Sequence, residues 1–257
     1  MPELTSRLGL IARMYCYRRA GKLSHTIFTV SKFSKQRIMH HLGLGEKIVV
    51  TGSAIQNYIY NDDDCCGVDV TTGNKTKSIL FIGNIKKHKG LAVLLNAFER
   101  ARKAGLDYTL VIVGSEENFR SVDTASLQYC KDAASDSIRW TGYVSNEELR
   151  GLIKSAALLV QPSLYEGFCL PPLEAMMLGT PALISDIPVL KEVYADFPVV
   201  FFKAGDAGDL KDKLIALLHN KPFVQVQLDE SQRNRYTFKK TAALILEVLG
   251  HEAGEGG

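Results

Sequence analysis

Short apolar runs alternate with longer amphipathic stretches through the second part of this chain. Stretches such as Gly90–Lys103 and Asn146–Ser155 place apolar residues at helical spacing, and the short runs between them are typical of buried strands. Strands that alternate with helices predict a parallel sheet covered on both faces, the doubly wound α/β fold. The predicted strands are Ser78–Ile82, Tyr108–Val113, Ile138–Trp140, Ala157–Gln161, Ala182–Ser185 and Val199–Phe202.

The first part of the chain has a shorter pattern of the same kind. It predicts a helix over residues 6–20, a strand at Thr26–Val30, a helix capped by Ser31 that runs to about His41, and a strand at Lys47–Thr51. From Gly52 to Lys77 the chain is rich in Asn, Asp, Gly and Thr, which predicts a linker and the main domain boundary. A last amphipathic helix is predicted at Ser231–Leu249, followed by a frayed glycine-rich tail.

These patterns divide the chain into three parts. Residues 1–70 are an incomplete domain with its linker, residues 71–230 are a Rossmann-like domain, and residues 231–257 are a C-terminal helix with a disordered tail. A complete doubly wound domain needs about 100 residues or more, so the first part is too short to be one. We therefore expect a short natural protein, a subunit encoded by a split gene, or a fragment of a longer chain.

The composition suits a globular protein with a substantial core. Of the 257 residues, 46% are hydrophobic and 23% are charged. Five cysteines, of which Cys65 and Cys66 are adjacent, form neither a disulfide framework nor a zinc-binding spacing, which favours a reduced, cytoplasmic compartment. No run approaches the roughly 18 apolar residues of a membrane span, and the N-terminus lacks the order of a secretion signal.

Positive charge is concentrated at the N-terminus. The net charge of the chain is +3, whereas residues 1–50 hold nine Lys or Arg against two acidic residues, a local net charge of +7. Such a surface is typical of a solvated face, and it also suits peripheral contact with anionic lipid at the inner face of a membrane. Nucleic acid is disfavoured as a partner, because no aromatic platform or recognised binding motif accompanies the charge.

The sequence motifs of several common nucleotide-binding, hydrolase and zinc sites are absent from this chain. There is no GxGxxG or GxxxxGK(S/T) run, and no HExxH, GxSxG or Cys/His cluster. The sequence therefore argues against the usual dinucleotide site, a P-loop, a metalloprotease, a serine hydrolase and a structural zinc site.

The residues best suited to chemistry follow predicted strands. Doubly wound sheets bind ligands at the carboxyl ends of their strands, near the point where the strand order reverses. After the first of these strands, Gly83 permits a tight turn and Lys89 lies at the start of a helix, whose N–H groups favour an anion. A lysine there can neutralise a diphosphate, although a lysine at a helix start is also typical of an ordinary surface.

A second segment follows the strand at Ile138–Trp140. Tyr143 lies in a turn, and Ser145 with Glu148 fits a capping box that begins a helix. The backbone of this segment, at Tyr143 and Val144, is a candidate edge for a nucleobase. By itself the pattern indicates only where a helix begins.

A third segment holds two carboxylates, Glu166 and Glu174, eight positions apart. Gly167 allows the backbone to approach a ligand, and Phe168–Leu170 supply N–H groups ahead of a proline-led helix. Glu174 can accept hydrogen bonds from both ribose hydroxyls, and Glu166 can reach sugar hydroxyls or a positive charge at the anomeric carbon. Taken singly, two glutamates at this spacing are typical of solvent-facing helix charges.

Together these segments resemble the retaining glycosyltransferases of the GT-B fold, and specifically their family four (glycosyltransferase group 1). The framework of that family, PSxxEGFGLPxxEAMxxGxP, corresponds here to PSLYEGFCLPPLEAMMLGTP, with Cys169 in place of the usual glycine. We expect this replacement to be tolerated provided that φ at Cys169 is negative, and to leave less room near the donor sugar.

Other segments carry the same resemblance. Gly83 and the Lys89–Gly90 pair match a family pattern in which an arginine is frequent at the position of Asn84, and the GNxxxHK variant resembles enzymes that act on GDP-mannose. The runs VIVG, GYVSNEEL and TVSKFSK are also similar to family landmarks. The resemblance extends from about residue 25 to residue 249.

The resemblance implies the donor-binding half of an enzyme that has two facing Rossmann-like domains. It implies that a sugar passes, with retention of configuration, from a nucleotide sugar, with GDP-mannose favoured, to a glycan or lipid-linked acceptor in cell-surface polysaccharide or lipopolysaccharide biosynthesis. No metal and no cofactor are expected, because basic groups and a helix dipole offset the charge of the leaving group. The implied catalytic residues are Glu166 and Lys89, and the implied donor-binding residues are Gly83, Asn84, Lys89, Tyr143, Val144, Glu166, Gly167, Phe168, Cys169, Leu170 and Glu174.

Two alternatives remain open on the sequence. A non-catalytic donor-binding subunit would need an acceptor-domain partner or a homo-oligomer, since the short first part would expose apolar surface. A signalling receiver domain has a similar strand–helix order, but the acidic cluster and lysine that it needs are not evident at the strand ends.

Overall fold

The computed structural model describes residues 7–45, 47–56, 59, 75–114, 123–132, 137–219 and 225–255. It divides the chain into two compact units, one formed by Met1–Ala54 with Arg235–Gly257 and the other by Ile55–Asn234. The linker predicted at Gly52–Lys77 falls largely on residues 57, 58 and 60–74, which lie outside the described residues.

In chain order the elements are α1 (Arg7–Leu23), β1 (Ile27–Thr29), α2 (Lys32–Leu42), β2 (Ile48–Val50), β3 (Ser78–Ile82), a 3-10 turn (Lys87–Lys89), α3 (Leu91–Lys103), β4 (Thr109–Val113), α4 (Thr124–Asp132), β5 (Ile138–Gly142), α5 (Asn146–Ser155), β6 (Leu158–Gln161), α6 (Pro171–Met177), β7 (Ala182–Ser185), α7 (Pro188–Val193), β8 (Val200–Phe202), α8 (Ala207–Leu218), α9 (Glu230–Arg233) and α10 (Phe238–Glu255). In the described ranges, no helix combines the length and the apolar character needed to cross a membrane.

The first unit contains a parallel pair of strands. β1 pairs with β2, with Ile27 opposite Ile48. The Ser31 hydroxyl accepts a hydrogen bond from Ser34 N at 3.0 Å and begins α2, as predicted. Gly43, with φ of 70°, ends the same helix in the left-handed conformation that glycine adopts without strain.

The second unit is built on a parallel sheet of six strands in the order β5-β4-β3-β6-β7-β8. Successive strands spread from β3 toward β5 on one side and from β6 toward β8 on the other, so the order reverses between β3 and β6. Neighbouring strands pair in parallel, for example Ile79 with Leu158 across β3 and β6. This arrangement confirms the predicted doubly wound α/β fold.

The helices of the second unit cover the sheet with apolar faces. Leu91, Leu94, Leu95 and Phe98 recur at helical spacing on α3 and are buried, which is why this stretch forms a helix against the sheet. α3 packs on α8, and α6 packs on β6 and β7. α6 and α7 begin with proline, which loses no hydrogen bond in the first helical turn.

The C-terminal region differs from the prediction of one helix at Ser231–Leu249. It contains two helices, α9 and α10, because Asp229 and Gln232 form a capping box that starts a separate short helix. α10 also continues beyond Leu249 to Glu255, through the segment predicted to be a frayed tail. The last residues, 256 and 257, lie outside the described residues.

Two glycines allow the loops at the carboxyl edge of the sheet to meet. A Cβ atom at Gly90 would lie 1.9 Å from Pro162 O, and one at Gly114 would lie 2.0 Å from Gly83 O. Real Cβ atoms do not come this close to backbone oxygens, so only glycine fits. The loop after β6 is thereby held against the turn that follows β3.

We predict that Gly90→Ala destabilises the second unit more than Gly142→Ala does. Both glycines have positive φ, 72° at Gly90 and 70° at Gly142, but a Cβ at Gly142 would meet no atom within 4 Å. Gly142→Ala should therefore cost only the backbone strain, about 1–2 kcal/mol, and Gly90→Ala should cost that plus the clash. Urea unfolding of both variants measures the difference, and equal losses would contradict the close approach.

Lys75, three residues before β3, is partly buried in the second unit. Its Nζ donates to Thr180 Oγ1 at 2.6 Å, and that hydroxyl donates to Ile153 O at 2.7 Å. Burial lowers the pKa of Lys75 to about 8, because an ammonium ion loses solvation in the protein.

We predict that Lys75 makes the free energy of unfolding rise with pH between about 8 and about 10.5, the folded and ordinary pKa values of this lysine. In that window the folded lysine has released its proton and the unfolded lysine retains it, so raising the pH favours the folded state. Thermal melts across this range should show a smaller rise for Lys75→Met than for the natural protein. Parallel profiles would contradict the prediction.

Candidate functional site

The loops that follow β3 and β6 meet at the point where the strand order reverses. Leu164 N donates to His88 O at 2.8 Å, and Tyr165 N donates to the same oxygen at 3.4 Å. These bonds, with the contact of Gly90 on Pro162, join the two loops through their backbones. The predicted site residues of both loops therefore share one edge of the sheet.

An ion pair forms at this junction. Lys89 Nζ lies 2.6 Å from Glu166 Oε1, and the exposed fractions of the two side chains are 21% and 10%. Lys89 lies in the 3-10 turn directly before α3, rather than within the helix. A charged hydrogen bond this short and this shielded from water is stronger than a surface pair.

Glu166 is also held by uncharged donors. Ser163 Oγ donates to Glu166 Oε1 at 2.7 Å, and Gln161 Nε2 donates to Ser163 Oγ at 2.9 Å. Ser185 Oγ in turn donates to the backbone oxygen of Ser163. All three of these supporting side chains are fully buried, so the carboxylate is anchored to the inside of the sheet.

Gln161 and Ser163 were not among the predicted site residues. A usable signal was present, because Gln161 is a polar residue inside the apolar run of β6 and Ser163 precedes Glu166 by three positions. The contacts between their side chains and Glu166 could not be read from these positions alone.

The condition set for tolerating Cys169, a negative φ, is not met. Cys169 has φ of 76° and, among the described residues, is the only residue other than glycine with positive φ. This left-handed conformation is strained for a residue with a Cβ atom. The hydroxyl of the fully buried Tyr194 donates to Cys169 O and thereby supports the conformation.

Burial and the charges around the Cys169 thiol change its pKa. Burial raises its pKa well above the ordinary value, and the negative charge of Glu166 raises it further. Glu174 acts in the same direction, and the positive charge of Lys89 opposes them. Both carboxylates and the lysine therefore lie within electrostatic range of one buried thiol, which stays protonated.

Glu174 is a buried carboxylate rather than a solvent-facing helix charge. It lies on α6, where Leu170 is the N-cap and Pro171 and Pro172 occupy the first turn, as predicted. Its exposed fraction is 5%. A carboxylate is buried at this level only where hydrogen bonds or opposite charges compensate for the lost solvation.

The other predicted site residues lie at different distances from Glu166. Gly83 is next to Lys89: a Cβ atom at Gly83 would lie 3.8 Å from Lys89 Cδ. Asn84 follows Gly83 and is half-buried. Tyr143 is 84% exposed, and Val144 is half-buried after β5. β4 and β3 separate β5 from β6, which puts this segment about 14 Å from the strand that carries the Glu166 loop.

His88 lies between Lys87 and Lys89 in the 3-10 turn after β3 but adds no positive charge to the site. Burial lowers the pKa of His88, and the neighbouring charge of Lys89 lowers it further, so the imidazole is neutral at neutral pH.

Among the described residues, no group of three or more His, Cys, Asp or Glu is arranged to hold a metal ion.

Comparison with known proteins identifies the family. The model of the family Glycosyl transferases group 1 matches residues 69–237. A phosphatidyl-myo-inositol mannosyltransferase of Mycobacterium leprae is 30% identical over 187 residues, which are 70% of this chain and 48% of that protein. The serotype-specific mannosyltransferase WbdA of Escherichia coli is 34% identical over 175 residues, which are 67% of this chain and 21% of that protein.

A solved structure shares the fold. The HepE protein of Anabaena, solved in complex with UDP-glucose, superposes with a TM-score of 0.73 at 17% identity, covering 98% of this chain and 70% of that one. The chain belongs to the Glycosyl transferases group 1 family and has the fold of the GT-B glycosyltransferases. It spans about half the length of the Mycobacterium relative, or 48%.

We predict that Cys169→Gly is more stable than Cys169→Ala by about 1 kcal/mol. Both variants lose the thiol, but only glycine adopts φ of 76° without a steric penalty. Chemical denaturation of the two variants measures this difference. A Cys169→Ala variant as stable as Cys169→Gly would show that the position is unstrained.

Proposed function

We propose that this chain binds a nucleotide sugar at the junction of the β3 and β6 loops and serves in retaining transfer of the sugar to a glycan or lipid-linked acceptor. The single observation that carries the proposal is the shielded ion pair of Lys89 with Glu166 at the switch point of the sheet, with Glu174 buried nearby on α6, which packs on β6 and β7. Doubly wound folds bind their ligands at this point.

Each charged group has a distinct role in the proposal. Glu174, buried on the proline-led helix, accepts hydrogen bonds from the ribose hydroxyls. Lys89, with Asn84 and the turn at Gly83, neutralises the diphosphate, whose negative charge grows as the bond to the sugar breaks. Glu166, with the backbone of Gly167–Leu170, binds the sugar and stabilises positive charge at the anomeric carbon.

The ion pair of Lys89 with Glu166 has a consequence for binding. A diphosphate competes with Glu166 for Lys89, so donor binding shares or breaks the 2.6 Å contact. Glu166 then has an oxygen available for sugar hydroxyls. The lysine and the helix N-terminus that follows it offset the leaving-group charge, and the proposal requires no metal ion.

GDP-mannose is the donor that we favour. Both of the relatives described above, from Mycobacterium leprae and Escherichia coli, carry the name mannosyltransferase. The GNxxxHK run, from Gly83 to Lys89, is the part of this chain that supports the same choice.

A second candidate function is donor binding by a chain that requires another polypeptide for turnover. The first unit favours it, because α1 exposes Ile11, Tyr15 and Leu23, with exposed fractions of 66%, 64% and 71%. Covering such side chains is a common role of a protein partner. If the isolated protein is a monomer and transfers sugar at rates typical of the family, this candidate fails.

We predict that calorimetry detects binding of GDP-mannose more strongly than of UDP-glucose or ADP-glucose. Glu174→Ala should weaken GDP-mannose binding by about 2–5 kcal/mol, because a buried charged hydrogen bond to the ligand is lost. Lys89→Ala should weaken the binding of GDP itself, because the lysine acts on the diphosphate.

Lys87→Ala is the matched control for the lysine. Lys87 belongs to the same 3-10 turn but is exposed and forms no ion pair with the described residues. It should leave the affinity for GDP unchanged. The proposal fails if the natural protein binds none of these nucleotide sugars, or if Glu174→Ala binds them as well as the natural protein does.

A further inference from the structure

We propose that Ser163 is a positioning residue for Glu166, and that Gln161 sets the direction of its hydroxyl. The inference rests on the proposed function, in which Glu166 contacts the donor sugar. It adds two residues, at the end of β6 and in the loop that follows it, that determine how the carboxylate meets the sugar.

The two strong donors to Glu166 end on the same oxygen. Lys89 Nζ lies 2.6 Å from Oε1 and Ser163 Oγ lies 2.7 Å from it. Pinning Oε1 from two directions fixes the plane of the carboxylate, and the second oxygen, Oε2, becomes the natural acceptor for a sugar hydroxyl.

Gln161 determines where the single proton of Ser163 points. The amide Nε2 of Gln161 can only donate, so the Ser163 hydroxyl accepts from it at 2.9 Å and directs its own proton to Glu166. Gln161 Oε1 is buried and has no hydrogen-bond partner among the described residues. A buried unpaired acceptor is unfavourable for stability, so the useful contribution of Gln161 is its donor to Ser163.

A bound diphosphate would compete with Glu166 for Lys89 but not for Ser163. A diphosphate competes for the lysine, whereas a neutral hydroxyl buried behind the carboxylate has no such competitor. Ser163 therefore holds Glu166 in the donor complex after the lysine has turned to the phosphates. A group that acts on a sugar needs this kind of support to keep its geometry.

The test is calorimetry of GDP and of GDP-mannose with the natural protein, Ser163→Ala and Gln161→Met. Each variant should bind GDP-mannose about tenfold more weakly relative to GDP, which corresponds to about 1.4 kcal/mol, because GDP lacks the sugar that Glu166 contacts. The ratio of the two affinities is the readout, since general damage to the fold weakens both ligands alike.

Ser126→Ala is the matched control. Ser126 is also a buried serine, and its hydroxyl donates to a carboxylate, Asp123 Oδ2, at 2.8 Å near the start of α4. The same substitution there should lower stability and leave the affinity ratio unchanged. The inference is overturned if the affinity ratio in Ser163→Ala is unchanged, whether both affinities stay the same or both fall by the same factor. A natural protein that binds neither GDP nor GDP-mannose would instead overturn the choice of GDP-mannose as the donor.

A second measurement does not depend on any ligand. In a double-mutant cycle on the free energy of unfolding, Ser163→Ala and Glu166→Ala should be non-additive because the two side chains are in contact. Ser126→Ala and Glu166→Ala should be additive. Additivity of the Ser163 and Glu166 changes would show that the hydroxyl does not hold the carboxylate, and the inference would fail whatever the donor is.

Discussion

The approach of the Gly90 backbone to Pro162 O is the constraint on which the geometry of the site depends. It brings the turn after β3 against the loop after β6, and the hydrogen bonds from Leu164 and Tyr165 to His88 O close the same junction. Lys89 and Glu166, separated by 77 positions in the chain, can form a 2.6 Å contact only because these backbones touch. The ion pair is therefore a product of backbone packing as much as of charge.

The junction concentrates features that are unfavourable for stability. Cys169 has a left-handed backbone, and Lys89 and Glu166 are largely shielded from water. Gln161 Oε1 is buried and has no hydrogen-bond partner in the part of the chain that the structure describes. Each of these is costly in an ordinary core. The surrounding sheet, with fully buried strands β6 and β7 on which α6 packs, offsets these costs. Such a distribution is typical of a binding site that the rest of the fold supports.

The sequence predicted the sheet well because each of its strands is a local signal. Ser78–Ile82 and Ala182–Ser185 are strands with the predicted bounds, and Asn146–Ser155 is a helix with the predicted capping box. The prediction was weaker where the decision was not local. The single helix predicted at Ser231–Leu249 became two, since periodicity shows an apolar face but not the cap that interrupts it.

The sequence by itself determined the fold class, the family and the carboxylate and lysine candidates, because apolar period and motif spacing are properties of the chain alone. Tertiary structure decided which groups touch: Ser163 and Gln161 behind Glu166, the Tyr194 hydroxyl on Cys169 O, and the positive φ of Cys169. These contacts depend on distances between segments that are far apart in the chain, and the φ of Cys169 depends on the packing and hydrogen bonds around its backbone. Residue order does not specify such distances until the strands have paired.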